Sequence, residues 1–151
     1  MSGVRVQLFF GPASTHPYRM AWSPPADGVD AVVAPDDRPA REWYGWRLIG
    51  ANNRELGRSA RSFVSYPQTR WAVRSLQKEH DRLVPRSLAD PATGRWSWRV
   101  ELDNQPVAVS ARWYERDHDS RAGVAKFVAL LPVAELVDGL VTLYGRRDGA
   151  P

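Results

Sequence analysis

A duplicated segment constrains the fold of this chain more than any other feature. Residues 44–63, "YGWRLIGANNRELGRSARSF", are echoed by residues 96–114, "WSWRVELDNQPVAVSARWY". Trp46 aligns with Trp98 at an offset of 52 residues, and after a one-residue gap an offset of 51 persists beyond both segments. Solenoids and propellers need three or more units to bury their faces, so two copies predict a pseudo-symmetric pair that shares one core.

The first part of each copy alternates as a half-buried strand does. Apolar side chains fall on one side of an extended chain, and Arg47 or Arg99 falls on the other. The apolar positions are Tyr44, Trp46 and Leu48 in the first copy and Trp96, Trp98, Val100 and Leu102 in the second. "ANNRE" and "LDNQP" follow, and Asn tolerates the positive φ of tight hairpin turns. Returning strands are predicted at 56–63 and 107–114.

After each hairpin the spacing changes to that of a helix face. The apolar residues that recur at three and four positions are Ala72, Val73 and Leu76, and then Val124, Phe127, Val128 and Leu131. Pro67 fits the first turn of the first helix, and Asp119 or Ser120 is predicted to cap the second. Leading strands are predicted at 31–34 and 84–88. The predicted fold class is therefore α+β, with two antiparallel β-β-(β)-α repeats.

Four regions follow from these patterns, all within a single globular domain. Residues 1–40 are predicted to form an edge strand, "VRVQLFF", and then a proline-rich loop. The first repeat occupies residues 41–80 and the second repeat residues 81–131. Residues 132–151 form an extension, predicted as a helix from Pro132 that Gly139 ends, a strand at 141–144 and a frayed end.

Composition and charge bound the function. Between residues 41 and 126 there are 16 Lys and Arg against 10 Asp and Glu, so the duplicated region carries the positive charge of a chain whose net charge is +4. Nineteen of the 21 basic residues are Arg, which fits phosphate or carboxylate recognition but also a GC-rich genome. The absence of Cys excludes disulfides and thiolate chemistry and suits a cytoplasmic protein. "VQLFF" is too short to span a membrane.

The duplicated segment resembles the repeat of the YegP family. The resemblance rests on Trp46-Arg47-Leu48, Asn52-Asn53, Gly57-Arg58-Ser59 and Phe63 in the first copy, and on Trp98-Arg99-Val100, Asn104, Ala108-Val109-Ser110 and Tyr114 in the second. It implies small α+β repeats of three antiparallel strands and a helix, whose sheets pair within a chain or between chains. It implies no reaction, cofactor or catalytic residue. Asn52-Asn53 and Asn104-Gln105 depart from the family's Asn-Gly turn.

Candidate ligand-binding residues comprise arginines at equivalent positions of the two copies and tryptophans that are predicted to be partly exposed. Two arginine pairs and two tryptophans form this set: Arg47, Arg99, Arg61, Arg112, Trp43 and Trp113. The arginines could grip a phosphate, a carboxylate or a nucleic-acid backbone, or they could pair locally with Glu55, Glu101 or Asp103. Trp46 and Trp98 are predicted to lie in the core, whereas Trp43, Trp71 and Trp113 are predicted to be partly exposed.

Three functional hypotheses remain open. The first is a non-catalytic binding or protein-interaction module, acting through the Arg-bearing sheet face or a sheet edge, with a protein partner or a second copy of the chain. The second is sequence-nonspecific nucleic-acid binding through the arginine-rich face. The third is an enzyme of unknown reaction centred on His118, although "ERDHDSR" has the character of an exposed turn with a capping Asp. No catalytic residue, metal site or cofactor is predicted, and no membrane partner.

Overall fold

A computed structural model of the chain describes residues 3–12 and 42–142, with the backbone alone at residues 12 and 140–142. Within these residues the strands are β1 (Arg5–Pro12), β2 (Glu42–Ile49), β3 (Glu55–Ser59), β4 (Val84–Ala89), β5 (Trp96–Leu102), β6 (Gln105–Ser110) and β7 (Glu135–Thr142). The helices are α1 (Tyr66–Lys78) and α2 (Asp117–Leu130), and short 3-10 turns span His80–Arg82 and Leu131–Val133.

The described strands form one mixed sheet in the order β4-β5-β6-β3-β2-β1-β7. All neighbours are antiparallel except β1 and β7, which are parallel. The α+β class is therefore confirmed, and the sheet is mostly antiparallel. In the middle of the sheet, β3 pairs with β6, with Gly57 opposite Ser110, Arg58 opposite Val109 and Ser59 opposite Ala108.

Two hairpins turn where the Asn-rich segments predicted them. Asn53 has a φ of 65° between β2 and β3, and Asp103 and Asn104 have φ values of 52° and 65° between β5 and β6. Asn and Asp enter this left-handed region at a lower cost than other residues with a Cβ. A two-residue turn with positive φ at both positions matches the twist of the strands it joins.

The main core lies between the two helices and one face of the sheet. Trp46 and Trp98 are each 1% exposed, and the ring of Phe127 from α2 lies 6.2 Å from the first indole and 4.9 Å from the second, centroid to centroid. Val73 and Leu76 contribute from α1. The predicted core position of the two tryptophans is confirmed.

The indole of Trp98 fits because small residues lie beneath it. The backbone N–H of Trp98 donates to Oγ of Ser110, at 3.3 Å, and Ser110 lies opposite Gly57 on β3. A Cβ at Gly57 would lie 2.4 Å from Cη2 of Trp98. The indole therefore reaches across β6 to the backbone of β3.

Several predictions at the ends of elements are wrong. Strand β1 is not an edge strand, because β7 pairs with its outer side. The helix predicted from Pro132 is a 3-10 turn followed by β7, because the pairing with β1 holds residues 135–142 extended. Helix α2 begins at Asp117, and Arg116 is its N-cap, so neither Asp119 nor Ser120 caps it. In α1, by contrast, Ser65 accepts the N–H of Gln68.

Part of the sequence prediction concerns residues outside those described. The strand predicted at 31–34, most of the proline-rich loop and the end predicted to fray all lie there. Strand β4 matches the strand predicted at 84–88. No helix within residues 3–12 and 42–142 is long and apolar enough to cross a membrane.

Candidate ligand-binding groove

A row of arginines crosses the sheet on the face opposite the helices. Residues directly opposite one another on neighbouring strands point to the same face. Following the ladder pairs from β1 to β4, this row contains Gln7, Arg47, Arg58, Val109, Arg99 and Arg86. The guanidinium group of Arg47 donates to Oε1 of Gln7, at 3.1 and 2.7 Å, and lies 5.9 Å from the centroid of Phe9.

Two glutamates are already engaged by this row. Glu55 accepts two hydrogen bonds from Arg58, at 2.5 and 2.6 Å, and lies 3.6 Å from Arg47. Glu101 accepts from Arg86 and from Arg99, both at 2.8 Å. The hydrogen bond from Arg86, helped by the charge of Arg99, lowers the pKa of the Glu101 carboxyl against the opposing effect of its burial. Both arginines of the predicted Arg47/Arg99 pair therefore contact carboxylates of the protein itself.

The same face buries an aromatic pair. Trp43 is fully buried, and its ring packs edge-on against Phe9 at a centroid distance of 5.4 Å. The prediction that Trp43 is partly exposed is wrong, because the face opposite Trp46 carries buried apolar side chains of its own. Trp71 is 71% exposed and Trp113 is half-buried, as predicted.

The arginines of the second predicted pair have different surroundings. Arg61 lies in the segment between β3 and α1, and it donates to Oε1 of Gln105 at 2.9 Å. This bond links that segment to the start of β6. In the alignment of the two copies, Arg112 corresponds to Arg61 and Arg54 corresponds to Gln105. Two arginines cannot form the bond that Arg and Gln form, and Arg112 instead lies over the ring of Tyr114, 4.7 Å from its centroid.

A groove of about 660 Å³ lies at this second position. Its walls are the β2–β3 hairpin, the segment that leads from β6 to α2, and one side of α2. The lining residues are Asn52, Arg54, Glu55, Leu56, Ala111, Arg112, Trp113, Tyr114, Glu115, Arg116, Asp119, Ala122, Gly123 and Lys126. The volume falls within the range of small-ligand sites.

The charges of the groove favour an anionic ligand. Two of its three carboxylates are engaged, Glu55 by Arg58 and Asp119 by Arg116 at 3.4 Å. Among the residues that the structure describes, Arg54, Arg112 and Lys126 have no carboxylate partner. A guanidinium group that has no carboxylate partner within the protein can donate bidentate hydrogen bonds to a carboxylate or phosphate of a ligand.

Tyr114 forms the back of the groove. Its hydroxyl oxygen accepts from Nε1 of Trp98 at 3.4 Å, and it fits against α2 because residue 123 is glycine. A Cβ at Gly123 would lie 2.5 Å from that oxygen. Beside Tyr114, the guanidinium group of Arg95 covers the ring of Trp113 at 5.0 Å, which leaves Trp113 half-buried.

His118 lies on an exposed part of the first turn of α2. The neighbouring carboxylate of Asp117 accepts a hydrogen bond from Arg121 at 2.8 Å. That bond, together with the nearby hydroxyl of Ser87, lowers the pKa of the Asp117 carboxyl. No group of three or more potential metal ligands occurs within the described ranges 3–12 and 42–142.

Of the residues that line the groove, Arg112 and Trp113 were predicted as candidates from the sequence, whereas Arg54 and Lys126 were not. The signal for Arg54 was present, because the alignment of residues 44–63 with residues 96–114 places an arginine at residue 54 where the other segment has Gln105. Lys126 corresponds to Ser75 in the same alignment and gave a comparable signal.

In its described part the protein has an α+β fold, with two helices packed on a seven-stranded, mostly antiparallel sheet. This fold is similar to that of UPF0339 protein SO3888 from Shewanella oneidensis, solved by NMR, with a TM-score of 0.57 over 91% of this chain and 92% of that chain at 9% identity. It is also similar to YegP from E. coli, an NMR structure described as a protein of unknown function, with a TM-score of 0.50 over 71% of this chain and 87% of that chain at 15% identity.

At these identities the two structures establish the fold alone. The resemblance to YegP noted in the sequence is thereby confirmed at the level of the fold. No family model and no curated protein matches the chain. Neither of these two structures indicates an activity for this chain.

Proposed function

We propose that the protein is a non-catalytic interaction module built from two copies of one unit, residues 41–80 and 81–131. Matching local contacts support the duplication. An isolated bridge joins Tyr44 to Phe63, and another joins Trp96 to Tyr114. The backbone N–H of Trp46 donates to Ser59 Oγ at 3.2 Å, just as that of Trp98 donates to Ser110. Residues 1–40 and 132–151 flank these units, and the lack of Cys supports work in the cytoplasm.

The contact surface of the module is the groove, and its ligand is an acidic segment of a partner protein. One observation carries this proposal: Arg54 and Arg112 occupy the positions at which Gln105 and Arg61 bond to each other. The bond between Arg61 and Gln105 links the two copies on one side of the molecule. On the other side, Arg54 and Arg112 carry like charges and cannot bond to each other, so both remain available to a ligand. Trp113 and Tyr114 give the ligand an apolar wall.

The arginine-bearing sheet face is a weaker candidate for this role. Glu55 and Glu101 already accept hydrogen bonds from its arginines, so an incoming acidic group would have to displace them. Breaking such a pair leaves a desolvated charge and costs more than an exposed ion pair returns. Arg47 and Arg99 are better explained as partners of these glutamates, and neither of them lines the groove.

The test is fluorescence anisotropy with a labelled oligoglutamate peptide at low salt. The R54Q/R112Q variant is expected to bind about five- to thirtyfold more weakly, because each exposed cation contributes up to about 1 kcal/mol. The matched control is Arg86→Gln, which removes a cation from the sheet face and is expected to leave binding unchanged.

A single Arg54→Gln change gives a second measure of the same geometry. It restores at this end the Arg and Gln combination of the other end, so Arg112 is expected to bond across the groove and weaken peptide binding beyond the loss of one charge. Absence of peptide binding by the wild-type chain, or equal affinity in the R54Q/R112Q variant, would refute the groove as the contact surface.

A further inference from the structure

The outward faces of the two helices differ in a way that the fold does not require. Helix α1 exposes Trp71, Arg74 and Lys78 along one stripe. At an offset of 51 residues, the corresponding exposed positions of α2 are Ala122, Ala125 and Ala129. Helix α2 therefore shows that this position in the fold accepts three alanines.

Helix packing does not account for the stripe on α1. Trp71 is 71% exposed, so its ring contributes little to the core, and Ala has a higher helix propensity than Trp. Helix α1 contains Arg70, Arg74 and Lys78 but no acidic residue. Arg70 is bound to Asp138 at 2.8 Å, whereas Arg74 and Lys78 have no carboxylate partner among the described residues.

The spacing of the three side chains places them on one surface. Residues i, i+3 and i+7 of a helix share a face, and a rise of about 1.5 Å per residue spreads them over roughly 10 Å. One flat aromatic ring is thus followed by two cations along the helix axis. This pattern suits a ligand that offers a π-face beside closely spaced negative charges.

We infer that the outer face of α1 is a contact site for single-stranded nucleic acid. A base stacks on Trp71, and Arg74 and Lys78 bind neighbouring phosphates. Proteins that bind single strands without sequence preference combine these two elements, an aromatic platform and cations that follow the backbone. This site is separate from the groove and does not depend on the function proposed for it.

An anionic membrane surface fits the stripe less well. Helices that lie in a membrane interface bury several large apolar side chains along one face. The exposed stripe of α1 has one such side chain, Trp71, and the apolar residues Val73 and Leu76 are already buried in the core. The same stripe is therefore adequate for stacking one base but supplies little apolar area for insertion.

The experiment measures binding of a labelled oligo(dT) probe to the full chain by anisotropy across a range of salt concentrations. Trp71→Ala is expected to weaken binding about tenfold, the effect of losing one stacked base. The R74A/K78A variant is expected to lower the slope of log affinity against log salt by about 1.4, because roughly 0.7 counterion is released per phosphate contact. All three changes install a good helix former at an exposed site, so the thermal unfolding curve should be preserved.

A charge-matched variant separates this site from the overall positive charge. The chain W71A/R74A/K78A/A125R/A129K has the wild-type net charge but carries its added cations on α2. It is expected to remain defective, and recovery of wild-type affinity would overturn the inference. Retention of full affinity by Trp71→Ala would also overturn it, as would binding to phosphatidylserine vesicles in place of the oligonucleotide. The groove variant R54Q/R112Q is expected to bind the oligonucleotide normally, which distinguishes failure of one site from failure of the other.

Discussion

The contact between Trp98 and Gly57 predicts a large effect from a single methyl group. A Cβ at residue 57 would lie 2.4 Å from Cη2 of Trp98 and 2.8 Å from Cδ2 of Phe127, whereas ordinary contacts of this kind lie at 3.4–4 Å. Both rings are buried, at 1% and 0% exposure, and β3 is held on both sides by neighbouring strands. Neither the rings nor the backbone can move without disturbing the centre of the core.

The magnitude follows from two opposing effects. Overpacking of a core costs about 1–3 kcal/mol, and two displaced rings place Gly57→Ala near the upper end. Replacing glycine by alanine in a strand recovers about 0.5–1 kcal/mol of conformational entropy. The free energy of unfolding should therefore fall by about 2 kcal/mol. For a chain of this size that corresponds to a decrease of about 4–8 °C in Tm.

The assay is urea and thermal unfolding, followed by circular dichroism. In a Trp98→Phe background Cη2 is absent, so the cost of Gly57→Ala should shrink by about 1 kcal/mol. Gly94→Ala is the matched control: residue 94 has a φ of 73° and no atom within 4 Å of a Cβ, so its cost of about 1 kcal/mol should not depend on Trp98. A Gly57→Ala chain as stable as the wild type would refute the packing argument.

Two further predictions concern the sheet face and the groove wall. Because Arg86 and Arg99 lower the pKa of Glu101 below its usual 4.5, its stabilising effect is present at neutral pH and is lost as pH falls through the lowered value. Glu101→Gln should cost about 1–3 kcal/mol in urea unfolding at pH 7, and this cost should shrink as pH falls through the lowered pKa of Glu101; a cost that does not change between neutral and acidic pH would contradict this linkage. Gly123→Ala should lower Tm despite gaining about 1 kcal/mol of helix propensity, and adding Tyr114→Phe should recover part of the loss. A rise in Tm for Gly123→Ala alone would show that Tyr114 is not held against the helix.

The parts of the fold that could be predicted are those with a local signal. Period-two alternation marked β2 and β5, and Asn53 and Asn104 marked the turns, because strand alternation and positive φ are properties of short segments. Strand β7 carried a misleading signal, since Pro132 and the apolar spacing after it fit a helix as well as a strand. Its extended form depends on pairing with β1, and β1 lies more than 120 residues away from β7 in the sequence.

The candidate site was predicted in part for the same reason. Arg112 was a candidate because it aligns with Arg61, and Trp113 was a candidate because it was predicted to be partly exposed. The partner of each arginine, however, depends on strand register and on the turns of neighbouring strands. Trp43 illustrates the limit of alternation, which indicates the face of a strand on which a side chain lies but could not show that Phe9 packs against Trp43 and buries it. Arg54 was missed because it stands out only by comparison with Gln105, and the bond from Arg61 to Gln105 is visible in the structure and not in the sequence.

The parallel pairing of β7 with β1 also has a consequence for synthesis on the ribosome. Arg5 pairs with Glu135, so β1 waits for β7, which is translated roughly 130 residues later. At about 5–20 residues per second this delay is roughly 6–26 s, during which one edge of β1 has no neighbour. A nascent chain that stops before residue 135 therefore offers an open strand edge to other chains, and such truncated products should aggregate more readily than those that include β7.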